Sequence, residues 1–143
     1  MAQMIFVNLP VADLGRARAF YAALGWSFDE RFCDGSGAMM GIGDSDTIHA
    51  MLLTHDRFRE FTSKAIADTR TSTEVLLAIS RDSRDGVDAL MEKALAAGAV
   101  ESRPVQDYGF MYGRAFEDPD GHTWEVIWMD VEAAIAGAVK ESA

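Results

Sequence analysis

Twice along this chain, apolar residues recur at helical spacing, and each time a short apolar strand precedes them and a glycine stops them. The first occurrence is the strand MIFVNLP, an acidic turn and VADLGRARAFYAAL. There Leu14, Ala17, Phe20, Tyr21 and Leu24 share one side of a helix that ends at Gly25. The second is EVLLAIS, the polar turn RDSRDG and VDALMEKALAA, in which Val87, Leu90, Met91, Ala94 and Leu95 lead up to Gly98. Three strand-like segments follow each helix. In the first half they are Trp26 to Phe32, Ala38 to Ile42 and Thr47 to Leu53, separated by the turn signals DGSG and GDSD. In the second half they run from about Ala99 to Val105, Tyr112 to Phe116 and His122 to Met129. Each half therefore reads βαβββ, and the two helix-ending glycines stand about half the chain apart. A single helix covers only one face of such a sheet, so the pattern predicts an α+β fold of two βαβββ modules, with mixed sheets curved around a cup-shaped pocket. We expect one domain over 1–143: module one at about 1–55, a connecting segment at about 56–72, module two at about 73–130 and a C-terminal helix at about 131–141. The connecting segment begins with the helical stretch THDRFREF, for which Thr54 is the expected cap.

The final strand, announced by FEDPDGHTWEVIWMD, poses the chemical question. Strict alternation puts Glu125 on a face with Thr123, Ile127 and Met129, while Trp124, Val126 and Trp128 take the other face against a helix. DPDG has the residues of a hairpin turn, and no chemistry is assigned to it. A carboxylate on a largely apolar face is costly to desolvate unless a metal, a donor or a ligand meets it. Asn8 shares the face of Phe6, and His49 shares that of Met51 if Thr47 to Leu53 is a regular strand. In the aromatic run DYGFMYG, Tyr112 is a candidate pocket residue. His55 and His122 are isolated and are left out of the site.

Composition narrows the function classes. The chain has 143 residues, 49% of them hydrophobic, and a formal charge of −10, which opposes binding to nucleic acid. No apolar run reaches the roughly 18 residues a membrane span needs, and MAQMIFVNLP lacks the pattern of a signal peptide, so a cytoplasmic protein is expected. The single cysteine, Cys33, is read as inert.

The stretches FVNLPVADLGRARAFYAALGW and FEDPDGHTWEVIWMD resemble the two halves of a vicinal oxygen chelate protein, the superfamily of glyoxalase I, bleomycin-resistance proteins and extradiol dioxygenases. The resemblance spans nearly the whole chain and implies paired βαβββ modules, a homodimer, a small-molecule ligand and one divalent metal such as Zn, Ni, Fe or Mn. Carried over residue by residue, the metal positions fall on Phe6, Met51, Glu74 (Leu76 if the strand is shifted) and Glu125. Phenylalanine cannot ligate, and a thioether suits a hard divalent ion poorly, so Glu125, Glu74 and His49 are the candidate ligands. Glu125 and Glu74 are also the candidate proton-transfer residues, with Phe6, Asn8, Met51 and Tyr112 as substrate contacts. The leading expectation is a lactoylglutathione-lyase-like protein, lyase or isomerase, with a degenerate metal site. The alternatives are a metal-free protein that binds or sequesters a small molecule, and a dimeric scaffold with a vestigial pocket.

Overall fold

The computed structural model of the chain describes residues 2–43 and 45–142. Asp44, in the expected turn GDSD, lies outside the described residues. The fold is α+β with two mixed sheets. It divides into two compact units, one running up to Thr73 and including Pro119–His122, the other comprising Glu74–Asp118 and the chain from Thr123 onward.

In the first unit, β1 (Ile5–Val11) leads into α1 (Leu14–Ala23), then β2 (Gly37–Gly41), β3 (Ile48–Thr54) and the short α2 (His55–Arg59). The sheet order is β1-β3-β2, with β3 parallel to β1 and antiparallel to β2. Asp13 caps α1 by accepting the Arg16 amide, and Gly25, at φ +88°, turns the chain out of it. Ala17, Phe20 and Tyr21 of α1 are buried, as are Leu9, Val11, Ala38, Met40, Ala50 and Leu52 on one face of the sheet. Thr54 caps α2 as expected, accepting the Arg57 amide at 3.3 Å.

The expected strand from Trp26 to Phe32 is reduced to an isolated bridge between Phe28 and Met40, followed by a 3-10 turn at Glu30–Phe32. Backbone bonds to β2 persist from Ser27, whose carbonyl accepts from Gly41 at 2.9 Å, to Asp29, whose amide donates to the Met39 carbonyl at 3.0 Å. The Asp29 carboxylate accepts the Arg31 amide at 3.1 Å, a local bond that competes with strand pairing.

The second unit repeats the topology. It contains β4 (Leu77–Ser80), α3 (Arg84–Ala96), β5 (Val100–Glu101), β6 (Gln106–Asp107), β7 (Met111–Glu117), β8 (Thr123–Met129) and α4 (Val131–Ser142). Its order is β4-β8-β7-β5, with β6 also on β7. As in the first unit, the opening strand is parallel to the closing one, β4 to β8, and the strand before the closing one is antiparallel to it. Val87, Leu90, Met91 and Ala94 of α3 are buried, as are Phe116, Trp124 and Val126 of the sheet. The β7–β8 turn carries residues counted with the first unit. There Asp120 accepts the Ala12 amide at 2.9 Å and the Arg16 guanidinium at 3.2 Å, and His122 donates from Nε2 to the Pro10 carbonyl at 2.7 Å. Gly121, at φ +85°, lies against Thr69 so closely that a Cβ would fall 2.7 Å from the Thr69 carbonyl oxygen.

Candidate functional site

The face of the first sheet turned away from α1 carries Phe6 and Asn8 from β1, His49 and Met51 from β3, and Met39 from β2. Pairing sets Phe6 beside His49, Asn8 beside Met51 and Met51 beside Met39. The Phe6 ring, 43% exposed, stacks on the His49 imidazole with centroids 5.0 Å apart and planes 13° apart. Phe28 and Phe32, from the segment that failed to become a strand, add two more aromatic walls. These residues, with Met4, line a cleft of about 980 Å³. Of the described acidic residues of the wall, Asp29, Glu30 and Asp46, the first two are paired with arginines. Asp29 accepts from Arg31 at 2.9 and 2.7 Å, and this pairing holds its carboxyl below the usual range; Glu30 pairs with Arg18. His49 is only 8% exposed; its Nε2 bonds to the Asp46 carbonyl at 3.0 Å, while Nδ1 is buried with no hydrogen-bond partner.

The structure thus gathers three of the sequence candidates, Phe6, His49 and Met51, along one cleft, with Asn8 beside them on the same sheet face. The others belong to the second unit. Glu125 does lie on the face opposite Trp124 and Val126, and its partner there is a cation from its own chain. Arg103 approaches it at 2.9 Å, and the side chains are 26% and 17% exposed for Arg103 and Glu125 respectively. The guanidinium reaches across Gly113, where the missing side chain leaves room: a Cβ there would meet Arg103 Nη2 at 3.8 Å. Arg103 was not among the sequence candidates. No sequence pattern marked it; in the structure Ser102 donates to the Ala115 carbonyl and Ala115 pairs with Glu125, which brings the next residue within reach of that carboxylate.

Tyr112 stands on the helix-covered face instead, beside Trp128, and donates to Asp88 of α3 at 2.7 Å. The structure therefore does not bring it together with Glu125. Asp88 also accepts from Arg114 at 2.9 Å, and Arg114 grips Glu101 through two bonds of 2.9 and 3.0 Å. The bond from Tyr112 lowers the Asp88 carboxyl, and the same bond raises the Tyr112 phenol. The bonds from Arg114 lower Glu101. Glu74 is exposed and precedes β4.

This geometry can be set beside known proteins. Residues 3–43 match a family model described as "Bleomycin resistance protein-like N-terminal". A glyoxalase/bleomycin resistance protein/dioxygenase family enzyme from Burkholderia phytofirmans superposes with a TM-score of 0.72 at 19% identity, over 90% of this chain and 99% of that one. The chain shares the fold of that glyoxalase/bleomycin resistance protein/dioxygenase family enzyme. A lactoylglutathione lyase from Agrobacterium tumefaciens shares it (TM-score 0.63, 18% identity, 90% and 94% covered), as does a bleomycin-binding protein complexed with bleomycin (0.61, 19%, 90% and 100%). No curated protein sequence matches the chain.

The superfamily's divalent metal can be tested against the residues present. Of the four positions the resemblance assigns to the metal, two hold a phenyl ring stacked on an imidazole and a thioether. A third, Glu74, is exposed ahead of its strand, and the fourth, Glu125, is paired with Arg103. Among the described residues no three of His, Cys, Asp and Glu gather as a metal-binding group. This donor set does not fit a hard divalent ion, and no reaction step is derived through one.

Proposed function

We propose that this chain binds a small, flat, largely apolar molecule in the first-unit cleft, without catalysing a metal-dependent lyase reaction. The observation that carries the reading is the Phe6–His49 stack at the head of a cleft walled by Phe28, Phe32, Met39 and Met51. Rings offer a planar ligand large contact area at low entropic cost, and thioethers adapt to its outline. Phe6 and Met51 occupy positions where metal-binding relatives carry ligands, so the surfaces that would grip an ion are apolar contact surfaces here. The chain's likeness to a bleomycin-binding protein supports a binding role, with bleomycin itself as the first probe. Glu125 enters as half of an ion pair, which ties up the carboxylate that a lyase would use to move a proton.

The lactoylglutathione-lyase-like reading remains the second one, favoured by the retention of Glu125 after the DPDG turn and by the fold shared with the Agrobacterium lyase. Two measurements separate them. Titration calorimetry with bleomycin and with simple aromatic compounds should detect binding that weakens in Phe6→Ala, with or without chelator. Turnover of methylglyoxal–glutathione hemithioacetal should stay at background with added nickel or zinc. Metal-stimulated turnover together with silence in the binding assays would overturn the proposal. We also propose that the protein works as a cytoplasmic homodimer without nucleic-acid or membrane partners. In support, the exposed apolar residues Ile5, Phe6 and Ile48 crowd one end of the β1–β3 pair, and among the described residues no helix is long and apolar enough to cross a membrane.

A further inference from the structure

We infer that His49 is the hydrogen-bond acceptor that selects the ligand of the first-unit cleft, and that the selected class is a planar molecule carrying an N–H or O–H donor, such as an indole, a phenol or an aromatic amine. The inference rests on the binding reading above and adds the polar half of the recognition. Its first step is the tautomer. A backbone carbonyl oxygen can only accept, so the 3.0 Å contact between His49 Nε2 and the Asp46 carbonyl requires the proton to sit on Nε2. In the neutral ring this leaves Nδ1 with a bare lone pair.

The second step is the state of that lone pair. Nδ1 is buried and has no hydrogen-bond partner, on a side chain that is 8% exposed. Buried polar atoms are almost always satisfied, so an unmet acceptor on a cleft wall marks a place where something donates. Packing does not account for it. The ring's orientation is already set by the Asp46 carbonyl on one edge and the Phe6 stack on its face, and neither contact uses Nδ1.

The third step is access and selectivity. Met4, Met39 and Met51 line the same cleft, and unbranched thioethers can change rotamer to admit a guest. The wall carboxylates Asp29 and Glu30 are committed to Arg31 and Arg18, so the Asp46 carboxylate and His49 Nδ1 are acceptors of the wall that no arginine takes. A lone pair there repels a ligand edge that offers only carbonyl or carboxylate oxygens. It discriminates between two planar molecules of similar shape by the presence of one hydrogen.

The test uses indole and N-methylindole, which share a ring system and differ in the donor, against the full-length protein and its His49→Phe variant. Imidazole ¹⁵N NMR of the free protein should show the proton on Nε2, and the Nδ1 resonance should move on adding indole but not N-methylindole. Indole should bind about tenfold tighter than N-methylindole, the discrimination expected of one hydrogen bond to a buried acceptor. In His49→Phe the ratio of the two affinities should fall to about one, whatever the change in either affinity alone. Equal affinities in the unmodified protein, or a neutral ring with its proton on Nδ1, overturn the inference and leave the binding reading intact. If neither probe binds, the binding reading fails and takes the inference with it. Should His49→Phe not fold, the tautomer and the probe ratio in the unmodified protein decide the matter.

Discussion

Replacing Glu125 by Gln keeps the shape of the side chain and removes the charge that Arg103 is paired with, so it asks directly what that carboxylate is for. At 2.9 Å, two unit charges in a surroundings of effective dielectric about 20 attract with about 6 kcal/mol before any cost is counted. Both side chains are mostly but not fully buried, at 26% and 17% exposure, so desolvation cancels most of that gain. A net loss of about 1–2 kcal/mol is expected, the larger part of it the cost of leaving Arg103 half-buried without its anion. For a chain of this length that corresponds to a fall of about 3–6 °C in thermal midpoint. The assay is a double-mutant cycle of Glu125→Gln and Arg103→Gln, read by urea unfolding and by calorimetric titration with whichever compound binds the first-unit cleft. We expect a coupling energy near 1 kcal/mol and no change in ligand affinity from Glu125→Gln. A coupling within error of zero, with ligand affinity lost in the Glu125 variant alone, would show that the carboxylate serves a ligand and that the ion pair is incidental.

Three further outcomes are expected. Gly121→Ala should destabilise the protein by about 2–4 kcal/mol in urea unfolding, because the new Cβ would meet the Thr69 carbonyl oxygen at 2.7 Å on a backbone at φ +85°; a loss under 1 kcal/mol would count against the contact. Acid should weaken the second unit through Asp107, whose carboxyl is held at about 2 chiefly by hydrogen bonds from Arg84, with Asp88 and Glu101 lowered in the same direction. Because these pKa values are depressed in the folded state, the stabilisation is whole above about pH 4 and is lost as pH falls toward 2, which a pH series of unfolding midpoints would reveal and which Asp107→Asn should blunt. Sedimentation at micromolar concentration should report a dimer, and a monomer alone would refute the proposed assembly.

The repeat was the most legible feature of the sequence. Helical spacing closed by Gly25 and by Gly98 marks two equivalent starts, and both glycines do take positive φ at the helix ends. Alternation along β8 also assigns Glu125 to the face opposite Trp124, as found. What periodicity could not supply was the partner. Arg103 lies between two-residue strands, and its approach to Glu125 passes over Gly113 of a neighbouring strand, a juxtaposition that no single strand's periodicity reveals. Tyr112 was ambiguous for a related reason: a run of aromatic residues does not reveal its own phase, and only the pairing with Trp128 turns it toward α3. The expected strand from Trp26 to Phe32 keeps only its bonds around Phe28 to β2, and beyond Asp29, whose carboxylate takes the Arg31 amide, the chain forms a 3-10 turn. That departure matters for the proposed site, since it is what brings Phe32 to the cleft.

The turn of residues 119–122 has a consequence for synthesis on the ribosome. Pro10, Ala12 and Arg16 emerge among the first residues of the chain, yet the groups that bond to them, on Asp120 and His122, are translated more than a hundred positions later. At ordinary elongation speeds the amino-terminal unit, otherwise complete at Thr73, waits roughly 2–10 s for residues 119–122. The first half therefore gains these bonds only after most of the second has been made. Nascent chains arrested before Pro119 should be cut by protease within α1 and β1, whereas chains extended well past His122 should resist.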